Sequence, residues 1–280
     1  MPVNTELVAK LLQPIPGEAP SGKDLRYDSR VDAIKEARRE ELDLPGVTNR
    51  KVADWPTVIK SCTELLSTET KDLQLQVWLT EALMNKDGFG GLASGLQGLS
   101  GMLSQFWDSL HPVTEEDDLE LRIGPLEWIG SKLAIPVKLT PLGSSGLTFM
   151  QYTLSRQVPT EADAETDRQK RTQREEALAQ GKFSPEAVEV VLDAMNKVAV
   201  RAVLADVDQV IAALASLEKV SDERFGRDAP AFNSLRNALD EIRRFLSGLL
   251  VQKLELDPDP IVEESAEAAR KSFARSTAGA

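Results

Sequence analysis

The sequence has one cysteine, Cys62, and one histidine, His111, among 280 residues. A lone cysteine excludes an internal disulfide framework and fits a reducing compartment. With Cys62 and His111 far apart in the chain, neither a zinc cluster nor a Cys–His nucleophile pair has much material. Basic charge is short as well: 33 Lys and Arg face 45 Asp and Glu, a formal charge of −12. Nucleic acid and anionic membrane surfaces repel such a chain, so neither is expected as its main partner. No run approaches the roughly 18 apolar residues of a membrane span, which excludes direct membrane insertion by a helix. The opening MPVNTELVAKLL lacks a basic region and a small-residue cleavage site, so no secretory leader is expected. G-x-S-x-G, H-E-x-x-H and Rossmann fingerprints are missing, and Gly17 and Gly22 lack the spacing of a phosphate loop. No catalytic, cofactor-binding or metal-ligating residue is therefore assigned. Carboxylates are too numerous for any pair to stand out as an acid–base site. A soluble cytoplasmic protein is expected.

Apolar material is ample at 41% of residues. Its densest stretch runs from Lys71 to Pro112 and predicts two helices broken at Asp87-Gly88. In the first, Leu73, Leu75, Val77, Leu79, Leu83 and Met84 cover most of the circumference. Only a strip through Gln74, Glu81 and Asn85 stays polar, with Trp78 at its edge. A helix this apolar is buried on several sides. In the second, Leu92, Leu96, Leu99, Leu103 and Phe106 form one stripe, flanked by Gly91, Gly95, Gly98 and Gly101. Each interior glycine costs about 1 kcal/mol against alanine, so four together imply a neighbour packed very close.

Around this hairpin the pattern is helical throughout. Asn4 or Thr5 caps a short first helix, and a Pro- and Gly-rich loop follows, anchored by Ile15, Leu25 and Tyr27. Helices are expected from Ser29 to Glu41 and from Asp54, the latter burying Val58, Ile59, Cys62, Leu65 and Leu66. Cys62 on that face reads as an inert core thiol, and His111 as a structural residue of the helix-ending WDSLHP segment. Trp55, Trp78, Trp107 and Trp128 read as core packing. The acidic run Glu115–Asp118 precedes a helix through Leu119, Ile123, Leu126 and Ile129 and complements its dipole. Two apolar runs around Gly143–Gly146 read as a small β-hairpin near 136–154. Residues 156–183 read as a polar linker or solvated helix. A helix opened by Ser184-Pro185 is expected to bend near Arg201, and helices near 203–219 and 230–252 to pair antiparallel, with Asp228 as cap and Phe225 plugging the end. After Leu254 the composition predicts a flexible tail over 255–280, with at most a transient helix at 262–274. The fold class is all-α: a multi-helix bundle of two packed subdomains, 1–155 and 184–254.

Several motifs carry a family resemblance. KDLQLQVWLTEALM, GFGGLASGL and WDSLHP before an acidic run are similar to the ImpA-type N-terminal domain of TssA proteins. PIPGEAPSGKDLRYD at Pro14–Asp28, DWPTVIKSCTELL at Asp54–Leu66 and FGRDAP at Phe225–Pro230 follow the same pattern in order. The resemblance implies an assembly factor of the bacterial type VI secretion system. It implies a non-enzymatic scaffold or adaptor that binds baseplate, tail-tube, sheath and membrane-complex proteins, with self-association. TssA relatives carry a further C-terminal domain, implied to build their rings, for which this sequence shows no equivalent. A monomer or small oligomer is expected on that ground. The other function class is an unrecognised helical ligand-binding or hydrolase-like domain, which a deep pocket with converging polar groups would favour.

Overall fold

The structure is a computed structural model in which residues 2–41, 50–114 and 119–260 are described. Among these the fold is all-α: twelve helices and no strand. The first is α1, Thr5–Leu11, capped by the Asn4 side chain, which accepts a hydrogen bond from the Leu7 amide. Its neighbours are α2, Ser29–Arg38, capped by Asp28, and α3, Trp55–Thr68, capped by Asp54. Both caps accept amide hydrogens that the first helical turn leaves unpaired. The intervening loop is held beside residues 69–71: Lys23 donates to the Glu69 carbonyl and Lys71 to that of Ser21. Gly22 sits here at φ 66° with no room for a Cβ against the Glu69 carbonyl. Ile15 and Leu25 anchor this loop as expected, but Tyr27 does not, being 93% exposed. Asp28 donates its amide to the Leu25 carbonyl, and the resulting turn carries Arg26 and Tyr27 outward at its tip.

The centre is α4, Leu73–Gln105, folded back on itself at Gly88 with φ 65° and ψ −139°. Only glycine takes that conformation freely. The two arms run antiparallel. A Cβ at Gly95 would lie 2.6 Å from Thr80 Cγ2 and 2.7 Å from its Cα, and one at Gly98 would overlap the Gln76 side chain. Gly91 faces the Leu83 carbonyl in the same way, and Gly101 faces Leu12 beyond α1. The expected close packing is therefore present, arm against arm. The expected all-apolar interior is not complete: Gln76 and Thr80 are buried. Gln76 donates to the Gly95 carbonyl at 3.2 Å, so the glycine row lets a polar side chain reach backbone.

Beyond residue 114, α5 spans Glu120–Lys132 and α6 Ala134–Lys138. The acidic run Glu115–Asp118 lies outside the described residues. No β-hairpin forms at 136–154. The end of α6 occupies its first three residues, a 3₁₀ turn its middle, and α7, Phe149–Ser155, its end, with one isolated bridge between Pro141 and Thr148. The reason is local: Thr148 and Gln151 form a reciprocal capping box that starts a helix where the pairing pattern suggested a strand. α8, Glu161–Thr166, and α9, Arg168–Ala179, follow, and α9 buries no residue. α10 is Pro185–Ala194 and α11 Lys197–Phe225. The break between them falls at Met195–Asn196 and not near Arg201, because Asn196 accepts from the Ala199 amide and starts a new helix. α12, Asn233–Leu256, closes the bundle. Asp228 does not cap it: Asp228 sits in a 3₁₀ turn, and Pro230 delays the helix to Asn233. Phe225 does plug the hairpin end, buried edge-on against Trp107 with ring centres 4.9 Å apart. The expected tail helix at 262–274 lies outside the described residues. One apolar core runs without interruption from Leu11 through α4 and α11 to Leu249.

Candidate functional site

The polar strip of the first α4 arm lies where α2 and α5 converge, and charged residues collect there. Arg38, the last residue of α2, lies between two indoles. Its guanidinium carbon is 5.4 Å from the ring centre of Trp78 on α4 and 5.1 Å from that of Trp128 on α5. Its Nε donates to the Glu81 carboxylate, also on α4. Burial pushes the Glu81 carboxyl above the usual carboxylate range, while the bond from Arg38 pulls the other way. Arg38 thus ties three helices by one ion pair and two cation–π contacts.

Beside this clamp runs a groove of 320 Å³. Leu25, Val31 and Lys35 line one wall, Leu121 and Pro125 the other, and Gln74, Leu75 and Trp78 the floor. Past Trp78 it continues to Arg38 and Trp128 as a second hollow of 490 Å³, with Leu121 and Pro125 common to both. Leu121 is 49% exposed, although it is a large apolar residue. Asp72 also lines the groove yet is only 8% exposed. It caps α4, accepting the Leu75 amide at 2.9 Å, and burial raises its pKa against that bond.

The other buried ionisable groups are structural. Lys71 is fully buried, and its Nζ donates to the Leu11 carbonyl at 2.7 Å and the Leu66 carbonyl at 2.6 Å. It satisfies the C-terminal ends of α1 and α3 together. Arg122 donates to the carbonyls of Trp107, Leu110 and Pro112 and stacks on Trp107 at 4.7 Å. His111 is buried, with Nε2 3.3 Å from the Gly22 carbonyl. Cys62 lies in the core, and burial pushes its thiol up to about 12. A thiol held protonated is no nucleophile. Among the described residues no three His, Cys, Asp or Glu side chains group to hold a metal ion. The surface offers recognition chemistry: an apolar trough with charge at its floor and rim.

The sequence points to Cys62 as a core thiol and to His111 as structural, but not to the roles of Arg38, Glu81, Lys71, Asp72 or Arg122. Trp78 and Trp128 pack against the core as expected, but both are half-buried and also hold Arg38. A signal existed: Trp78 and Glu81, three apart, share the polar side of an otherwise apolar helix.

The family profile described as ImpA, N-terminal, type VI secretion system matches residues 12–131, which cover α2 to α4, all but the last residue of α5, and the whole groove. Over 114 residues the chain is 31% identical to the type VI secretion system component TssA1 of Pseudomonas aeruginosa. That match takes in 40% of this chain and 33% of the relative. The fold matches the N-terminal domain, including the conserved ImpA_N region, of the TssA component from Burkholderia cenocepacia with a TM-score of 0.77. Identity there is 33%, over 90% of this chain and 96% of that one. The chain belongs to the TssA family of the type VI secretion system. The likeness to the Burkholderia structure, at 90% of this chain, extends past the profile into the helices that follow α5. No helix among the described residues is long and apolar enough to cross a membrane.

Proposed function

We propose that this TssA chain is a non-enzymatic scaffold that recruits other components of the secretion apparatus during tail assembly. The reading extends to baseplate, tail-tube, sheath and membrane-complex proteins as partners, and to the bacterial cytoplasm as the place where they meet. The single observation that carries it is the groove between α2 and α5. It sets exposed Leu121 beside Trp78, Pro125 and Val31 in one concave, largely apolar trough, as a protein-binding surface does. Its residues bind rather than react: indoles, aliphatic side chains and fixed charges, with no nucleophile beside a base.

Pairwise binding assays between the purified chain and each secretion component test the reading. Leu121→Glu places a charge in the trough without touching the core. Loss of at least one interaction, with helicity and melting temperature unchanged, is the expected result. Unaltered binding to every component refutes the assignment of the groove.

A further inference from the structure

Two carboxylates line the groove, Asp32 at its rim and Asp72 at its floor, and neither forms an ion pair with lysine or arginine among the described residues. They differ in setting. Asp32 is exposed, while Asp72 is more than nine-tenths buried. Of the charges nearby, His111 favours the ionised form of Asp72 and Asp24 opposes it, while Lys35 on the groove wall forms no ion pair among the described residues. Arg26 is paired with Asp24 at 3.7 Å, and Arg38 is committed to Glu81. A carboxylate taken out of water without a lysine or arginine partner is costly, and the backbone hydrogen bonds from Leu75 and Gln74 at the start of α4 recover part of that cost. Leu25, Leu75 and Pro112 give the groove apolar surface, with Arg26 and Lys35 as the cations that line it. An aliphatic stem suits that surface, and a cationic head suits Asp72. Of the two basic side chains, arginine is the less strongly hydrated and the better partner for a buried carboxylate.

We propose that the groove is a socket for an arginine side chain presented on an apolar segment of a partner protein, with Asp72 as its counter-charge and Asp32 guiding it at the rim. The inference rests on the reading of this chain as a docking module and names the chemistry of what docks. Such an arginine would complete the only buried carboxylate of the groove and bury its own stem on Leu25 and Leu75. The existing Arg38 clamp stays in place and forms the far boundary of the socket.

The probe is the peptide acetyl-Leu-Arg-Leu-amide, with the citrulline analogue as its uncharged, near-isosteric control. Binding is followed by isotope-edited NMR on the full chain. The arginine peptide is expected to bind at least about tenfold more tightly than the citrulline peptide. Its shifts should centre on the Trp78 indole and the Leu25 and Leu121 methyls. In Asp72→Asn the two peptides should bind alike, because asparagine keeps the helix cap and removes the charge. Equal affinity on the native chain, shifts elsewhere, or no binding at millimolar peptide each overturn the socket, whatever the stability of the variant. The Leu121→Glu assays separate this from the broader reading. If that variant loses a secretion component while the peptides bind equally, only the socket falls. If it loses none, the docking reading falls.

Discussion

At the scale of single residues, the glycine row and Lys71 set two opposite lessons. Helix propensity favours alanine over glycine by about 1 kcal/mol, so an exposed Gly→Ala change stabilises a helix. Gly95→Ala should do the reverse, because its methyl would meet the Thr80 Cα across the hairpin. A loss of about 1–3 kcal/mol in denaturant unfolding is expected. Gly98→Ala should cost less, since it meets the movable end of Gln76. Lys71 gives a pH signature. Burial lowers its pKa from an ordinary 10.5 to about 8. A base with a lowered folded pKa binds fewer protons folded than unfolded, so its burial penalty is full below about 8 and is relieved as pH rises towards 10.5. Lys71→Met leaves two buried carbonyls without donors, at a cost of about 1–3 kcal/mol. The native chain should gain stability relative to Lys71→Met between pH 8 and pH 10. Urea melts of both proteins at the two pH values check the sign.

Elements were legible in the sequence wherever the determinant was local. The Gly88 turn, the Asp54 cap and the glycine spacing all declare themselves within a few residues. The misplacements have local causes too: the Thr148–Gln151 capping box outweighed an apparent strand pattern, and Asn196 outweighed a shift of apolar phase. The groove was not legible, because Arg38, Trp78 and Trp128 lie on three helices and meet only after the bundle is built. Lysine at the fully buried position 71 was equally hidden, since that residue type is normally exposed. The Arg38 clamp should hold α2 to α4 and α5. Arg38→Ala removes a charge-assisted bond from half-buried Glu81, at roughly 1.5–3 kcal/mol. Glu81 already sits above its ordinary pKa, and without Arg38 it rises further. A carboxyl with a raised folded pKa takes up a proton on folding as pH falls, so the deficit should be smaller at mildly acidic pH than at neutral pH. Thermal melts of native and variant protein at both values would expose a constant deficit, which is the contrary result.

Across the whole molecule, the continuous core makes Cys62 a reporter of global stability. Its thiol is fully buried in α3 and pushed up to about 12. Labelling by a thiol reagent should therefore follow the unfolding rate measured by circular dichroism, and faster labelling would reveal a local opening around α3. The α4 hairpin bears on a different matter, the history of the gene. Its two arms join through one residue, Gly88, so no loop exists to absorb an added or deleted codon. An extra residue in the second arm would turn each following glycine about 100° away and bring a side chain against Thr80 or Gln76. Substitutions can accumulate in this stretch, but its length cannot drift. The distance in residues from Gln76 to Gly98 should be the most invariant interval among TssA sequences, more constant than the identity of any position within it.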